Sequence, residues 1–223
     1  MNKELFRAII SENQEFIGSI PLVERPLHLE ESGNYVFVGV RQAGKSYLLY
    51  QRVKELLGCG INLHDIVYVN FDDERLLGMT TDDFDLILQA YYSMYGGQPI
   101  FFFDEIQNVD GWANFARRLA NQKHRVYVTG SNAKMLSRDI ETVLGGRYLS
   151  VYVFTYSFEE YLKAIGISVS GGSQYGRKAN ELQRHFRTYF EWGGFPELVN
   201  FREKRVWLNS LYNRIFFNDL VVR

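Results

Sequence analysis

A parallel α/β sheet with helices on both faces is predicted by three observations on the sequence. Between residues 34 and 154, five short runs (35–40, 66–71, 99–103, 125–129 and 148–154) are rich in the β-branched and aromatic residues that favour strands. Each run is almost continuously apolar instead of alternating, which is the pattern of a central strand covered on both faces. Amphipathic stretches of helical period separate the runs, as crossovers between parallel strands require.

Taken in order, the first run is followed by Leu48, Leu49, Val53, Leu56 and Leu57, which fall on one helical stripe. After the second run the stripe is Phe84, Ile87, Leu88 and Tyr91, and its helix opens with Thr81 as cap and Asp82 and Asp83 suited to the positive helix end. Trp112, Phe115, Ala116 and Leu119 form the stripe after the third run. The β pattern stops after Phe154, and Ser157 with Glu160 has capping-box spacing at the start of another helix. A Gly/Ser-rich loop covers 168–176, and helical stretches at 178–191 and 203–217 flank Gly193-Gly194-Phe195-Pro196. This predicts an N-terminal helix over 1–21, an α/β core over 22–154 and a small helical subdomain over 155–223, with no internal repeat. The sequence stops on Leu220-Val221-Val222 with no turn or polar tail behind it, which reads as a truncation.

Composition narrows the function classes. In 223 residues, 46% are hydrophobic, enough to bury a sizeable core, and Lys+Arg 25 against Asp+Glu 26 leaves a net charge of -1. That balance argues against a generally basic nucleic-acid-coating protein or a membrane-surface binder. One cysteine, Cys59, and four scattered histidines exclude a zinc domain. The longest apolar stretches, such as 100–103, are far too short to span a bilayer, and no leader pattern opens the chain, so a cytoplasmic location with no membrane partner is expected.

The chemistry centres on Gly39-Val40-Arg41-Gln42-Ala43-Gly44-Lys45-Ser46, which matches the P-loop (Walker A) pattern. It sits where the mechanism demands, after a buried strand and before an amphipathic helix. The glycines let backbone N–H groups, from Gly39 through Arg41, Gln42, Ala43 and Gly44 to Tyr47, wrap phosphates at a helix N-terminus. Lys45 would neutralise the β and γ phosphates, and the Ser46 hydroxyl would ligate Mg²⁺. The run 99–103 ends in Asp104-Glu105, and a carboxylate at the end of a buried strand needs a partner such as a metal ion. Asp104 would hold Mg²⁺ through water, and Glu105 would orient the water that attacks the γ phosphate. The following strand ends Thr129-Gly130-Ser131-Asn132, beside the acids. Asn132 can hydrogen-bond the γ phosphate or the water; it can equally cap the next helix.

A P-loop, an intervening strand, an acidic pair and a polar strand end resemble an AAA-type (AAA+) ATPase of the additional-strand class. More narrowly, GVRQAGKSYLL, VNFDDERL, FFFDEIQNVDGWANFARRL, VTGSNAKMLSRDIETVLGGRY, YSFEEYL and GGFPE, in that order, resemble the prokaryotic AAA-type ATPases that usually carry a C-terminal domain of unknown function, related in some descriptions to nuclease folds. The resemblance spans about 21–223, and the sequence stops where that second domain would begin. It implies a P-loop NTPase three-layer sandwich with strand order 5-1-4-3-2, a helical lid, ATP and Mg²⁺ as ligands, Asp104-Glu105 as the Walker B acids and Asn132 as the sensor. It also places Arg147 where such ATPases offer an arginine to a neighbouring subunit of a homo-oligomer. Arg138 and Arg118 compete for that role, and an arginine opening a strand is otherwise a solvated residue. Gly194-Phe195-Pro196 resembles the turn that related signalling ATPases set against adenine, where proline offers a flat apolar surface; the plainer alternative is a helix-ending turn.

Other features read more simply. Cys59 reads as a small buried or edge residue rather than a nucleophile, and Phe71-Asp72-Asp73-Glu74 could contribute acids near Mg²⁺, although a solvated loop explains it. Arg117, Arg118, Lys123, His124 and Arg125, and later Arg202, Lys204 and Arg205, are basic clusters that a nucleic acid could use, although solvated helix faces explain them. Two functions follow: Mg²⁺-dependent ATP hydrolysis coupled to lid movement, or a switch in which bound ATP or ADP sets the exposed partner surface and turnover is incidental. A pure binding module has no need of Glu105. A DNA-related partner domain is a third and weaker reading.

Overall fold

Five strands form one parallel sheet: β1 Tyr35–Gly39, β2 Ile66–Asn70, β3 Ile100–Asp104, β4 Arg125–Ser131 and β5 Leu149–Val153. Their spatial order is β2-β3-β4-β1-β5, which is 5-1-4-3-2 read from the other edge. The computed structural model describes residues 1–131, 142–168 and 177–216. Register runs Tyr35↔Tyr127 to Gly39↔Ser131 between β1 and β4, Ile66↔Ile100 to Asn70↔Asp104 between β2 and β3, and Ile100↔Arg125 to Phe103↔Val128 between β3 and β4. With these strands parallel, the ends of β1, β3 and β4 meet along one carboxyl edge.

The chain divides into two units, one of Met1–Leu22, Pro26–Gly39 and Lys45–Tyr152, the other of Val23–Arg25, Val40–Gly44 and Val153–Arg223. In the first, helices α1 Lys3–Ser19, α2 Lys45–Gly58, α3 Phe84–Met94 and α4 Trp112–Asn121 accompany the sheet. Strands β1, β2 and β3 are covered on both faces, and Val67, Val69, Phe101, Phe103, Val126 and Val128 share one core with Phe6, Ile9 and Ile10 of α1. Each such side chain contributes about 1.5–3 kcal/mol on burial, more than a typical net hydrogen bond, so apolar packing sets the frame on which the polar strand ends stand. β2 lies at one edge, and α1 blunts it: buried Gln14 donates through Nε2 to the Ile66 carbonyl at 2.8 Å, and Asn13 Nδ2 to that of Tyr68 at 3.2 Å.

Two local expectations are corrected. The run that becomes β5 is not covered on both faces: Leu149 is 55% and Tyr152 58% exposed. β5 occupies the other edge of the sheet, a position that hydropathy does not encode. The capping residue is Thr80, not Thr81, and it caps the short 3-10 turn Thr81–Asp83 that leads into α3. Thr80 N–H and hydroxyl both donate to Asp83 Oδ2 in a capping box, while the Thr81 hydroxyl donates to the Asp110 carbonyl at 3.0 Å.

The second unit is helical, with α5 Phe158–Ala164, α6 Arg177–Trp192 and α7 Lys204–Ile215. Ser157 and Glu160 close the expected capping box on α5, at 2.7 and 3.2 Å. Tyr156, Tyr161 and Leu162 pack with Phe158, Leu182 and Tyr189, and Trp207 and Leu211 pack with Phe195. The Gly193–Pro196 turn is strapped down: Tyr156 N–H donates to the Gly194 carbonyl at 2.7 Å, and the Tyr189 hydroxyl to the Tyr156 carbonyl at 2.8 Å. A Cβ at Gly194 would stand 2.1 Å from the Tyr156 carbonyl oxygen. Because that neighbour is backbone and hydrogen-bonded, Gly194→Ala is expected to cost about 1–3 kcal/mol as an overpacking change. Thermal unfolding checks it; a melting temperature equal to wild type would mean that the strap is loose.

Candidate active site

The loop from Val40 to Gly44 leaves the end of β1 and enters α2 at Lys45. It closes with Ala43 N–H donating to the Val40 carbonyl at 3.3 Å, and it turns through two left-handed positions, Gln42 at φ 60° and Gly44 at φ 94°. Glycine takes that conformation freely, whereas at Gln42 it is held at a cost.

Lys45 is 4% exposed. Its ammonium donates to the Gly39 carbonyl at 3.3 Å and lies 3.5 Å from Glu105 Oε1. Asp104, 2% exposed at the end of β3, accepts at Oδ2 from the Tyr68 hydroxyl at 2.8 Å and at Oδ1 from the Thr129 hydroxyl. The same Thr129 oxygen accepts from the Glu105 N–H at 2.9 Å, so one hydroxyl on β4 fixes both acids. Glu105 itself turns left-handed, at φ 50° and ψ 41°, and its Oε2 accepts from Gln107 Nε2 at 2.6 Å. Burial, reinforced by the Asp104 charge, pushes the Tyr68 hydroxyl well above the ordinary tyrosine range, so it stays a proton donor. Tyr50 of α2 stacks at a tilt on Tyr68, with ring centroids 5.2 Å apart.

Neither donor on Asp104 is charged. Both are neutral hydroxyls, so among the described residues its negative charge is solvated by dipoles and not cancelled by a cation, and an oxygen donor set of this kind suits a hard divalent ion. Among the described residues, no group of three or more His, Cys, Asp and Glu is placed to hold a metal. Any metal here would therefore rely on few protein donors plus substrate oxygens and water, as Mg²⁺ does.

Residues 32–162, more than half of the chain, match the family described as an AAA domain. The chain belongs to that family. An uncharacterized protein of Methanocaldococcus jannaschii is 34% identical over 99% of this chain and 50% of its own length. An uncharacterized protein of Haemophilus influenzae is 31% identical over 84% of this chain and 46% of its own. The chain thus spans about half the length of the curated relatives it matches. Among solved structures, the Saccharomyces cerevisiae Hsp104–ADP complex aligns with a TM-score of 0.49 and 13% identity, over 93% of this chain and 31% of that one. AMPPCP-bound DnaA from Aquifex aeolicus aligns with a TM-score of 0.40 and 13% identity, over 96% and 68%.

In this AAA domain the residues singled out by sequence fall into three places. Gly39, Lys45, Ser46, Asp104 and Glu105 stand at the carboxyl edge of the sheet, with Ser46 half-buried in the first turn of α2 and Tyr47 exposed beside it. Arg41, Gln42, Ala43 and Gly44 form the loop, and Pro196 Cγ lies 3.5 Å from where a Gly44 Cβ would be. Arg147 is at the other end of the sheet. It precedes β5, whose first N–H bonds the Asn34 carbonyl next to the start of β1, and its guanidinium donates to Asn121 Oδ1 at 2.6 Å and the Gly145 carbonyl at 3.2 Å. A five-residue strand spans about 16 Å, so Arg147 cannot serve its own chain's Lys45 and Asp104. Asn132 and Arg138 lie outside the described residues.

Arg118 pairs with Asp85 over the Phe115 ring, and Arg117 donates to Asn114. His124 is buried against the Pro99 carbonyl, and burial lowers its pKa. Lys204 reaches the Leu198 carbonyl at 2.6 Å. Asp73 is held below the usual carboxylate range by its hydrogen bonds from Arg75, and Cys59 is exposed. No helix among the described residues is long and apolar enough to cross a membrane. Sequence reasoning missed the part played by Tyr68, for which the signal was a tyrosine two residues before the end of β2.

Proposed function

We propose that this AAA domain binds ATP with Mg²⁺ and hydrolyses the β–γ phosphoanhydride, coupling turnover to movement of its helical lid. The observation that carries the reading is the meeting of the P-loop lysine with the strand-end acids, Lys45 Nζ 3.5 Å from Glu105 Oε1, beside a buried Asp104 whose carboxylate accepts from the Tyr68 and Thr129 hydroxyls. Lys45 would bind the β and γ phosphates. Ser46 and Asp104 would hold Mg²⁺, which supplies charge neutralisation on the phosphate oxygens when bound. Glu105 would accept the proton of the attacking water, Asn132 would orient the γ phosphate, and Pro196 would face the base. A cytoplasmic location and assembly through Arg147 belong to the same reading. Phosphate release in a single turnover with ATP, with and without Mg²⁺, tests it: a folded protein that binds no nucleotide would exclude it.

A second reading rests on Glu105 itself. Its two oxygens are engaged by Lys45 and Gln107, and a carboxylate that stayed so engaged with nucleotide bound would leave a slow switch. A bound ADP that persists through purification, with turnover slower than nucleotide exchange, would favour it.

The trans role of Arg147 predicts that Arg147→Ala leaves ATP binding by the isolated subunit nearly unchanged and lowers hydrolysis only where subunits associate. Mixing Arg147→Ala with Glu105→Gln subunits should then partly restore activity, because some interfaces pair an intact Glu105 with an intact Arg147. A mixture as inactive as its components, in an associated preparation, removes Arg147 from the reaction.

A further inference from the structure

Arg25 lies between α1 and β1, and its partners are far apart in sequence. Its side chain is 10% exposed, yet all three nitrogens donate. Nε reaches Glu160 Oε1 at 2.8 Å, Nη1 the Ala43 carbonyl at 3.1 Å and Nη2 the Phe154 carbonyl at 2.9 Å, with longer contacts from Nη2 to Thr155 O and Glu160 Oε2, each at 3.5 Å. The guanidinium also lies over the Tyr156 ring, 5.3 Å from its centroid. Glu160, 9% exposed on its side chain, is the acid of the α5 capping box. Burial alone would raise its carboxyl pKa, but hydrogen bonds from Arg25 and from the Ser157 N–H bring it below the ordinary glutamate value. A paired, nearly buried arginine with this many acceptors is an oriented clamp rather than a source of long-range field.

What it clamps is the phosphate loop. In a trans peptide the carbonyl and the following N–H point in opposite directions, so an Ala43 oxygen held on Arg25 turns the Gly44 N–H the other way. Gly44 sits at φ 94° and Gln42 at φ 60°, the alternation that makes a concavity of N–H groups for an anion. A flipped 43–44 peptide would put a carbonyl oxygen in that concavity and repel phosphate.

The geometry points to Arg25 as a positioning residue of the phosphate loop: it fixes the 43–44 peptide so that Gly44 offers its N–H to the nucleotide's phosphates, and Glu160 anchors Arg25 in that pose. The inference rests on the ATP reading and deepens it. Arg25 acts through the loop backbone and not on the nucleotide itself. Lysine at this position would keep the charge but lose the fork that spans three acceptors, so the substitution is not conservative here.

Calorimetric titration of MgADP and of inorganic pyrophosphate into wild type, Arg25→Met, Arg25→Lys and Glu160→Gln tests this, with circular dichroism and thermal unfolding of each nucleotide-free variant alongside. Arg25→Met and Arg25→Lys are each expected to weaken ADP by about tenfold or more, the scale of one lost charge-assisted hydrogen bond. Pyrophosphate, which has neither base nor ribose, should weaken by a similar factor, and Glu160→Gln should show a smaller loss of the same kind. A merely structural role would lower the melting temperature and leave both affinities within about twofold, which would overturn the proposal, as would a loss for ADP that pyrophosphate does not share. Should Arg25→Met fail to fold, Arg25→Lys and Glu160→Gln decide by the same criteria. Folded wild type that binds neither ligand would overturn the ATP reading and this inference together, whereas binding that all three variants retain would overturn this inference alone.

Discussion

Replacing Lys45 with alanine is expected to abolish nucleotide binding: calorimetric titration of MgATP should give no heat at concentrations that saturate wild type. The ammonium is buried and held by the Gly39 carbonyl and Glu105, so it is already placed and loses little further freedom on meeting phosphate. A charge-assisted contact to phosphate is about twice as strong as a neutral one, and here it lies in a site largely shielded from water. Alanine also leaves Glu105 Oε1 facing the phosphates without its cation, which adds repulsion to the lost attraction. Undiminished affinity in a folded Lys45→Ala protein would remove the loop from the nucleotide site.

Glu105→Gln is expected to keep nucleotide affinity within a few-fold and to cut single-turnover hydrolysis by about a hundredfold or more, since an amide fills the same space but cannot accept a proton. The left-handed backbone at φ 50° is unchanged by this swap, and Gln107 can still donate to the amide oxygen, so the fold should not respond. Loss of the ion pair leaves the Lys45 ammonium on the Gly39 carbonyl, and ATP affinity is expected to hold or rise. The pair of measurements matters: equal turnover would point to the switch reading, and equal loss of binding and turnover would mean that Glu105 holds the loop and takes no part in the chemistry.

Much of this was legible because it is local. The P-loop pattern packs its glycines, lysine and serine into eight residues, and Asp104-Glu105 ends an apolar run that can only be a strand. Class and helix stripes followed from periodicity, but strand order did not: no residue pattern says that β4 inserts between β1 and β3, and the order came from family resemblance. Hydropathy also misplaced β5, because an apolar run at an exposed edge reads like one in the middle. The Tyr68–Asp104 contact joins residues 36 apart, and the Arg25–Glu160 contact joins residues 135 apart. Such pairings exist only once the sheet is assembled, and one arginine among twenty-five basic residues carries no mark of its future burial.

The insertion of β4 has a dimensional consequence. Neighbouring strands stand about 4.8 Å apart, so the strand that ends in the phosphate loop and the strand that ends in the acids are separated by roughly 9.5 Å. On the proposed reading that gap would take a phosphate chain and a hydrated ion, and it is one that a lysine's four-carbon stem can cross, as Lys45 does to Glu105. The strand in between works as a gauge block, and its end must stay short: Thr129 gives a floor that grips both acids, where a longer side chain would fill the opening. Slot width in this protein is thus a property of strand order, and a sheet that set β1 directly beside β3 would lose the site even with every one of its residues kept.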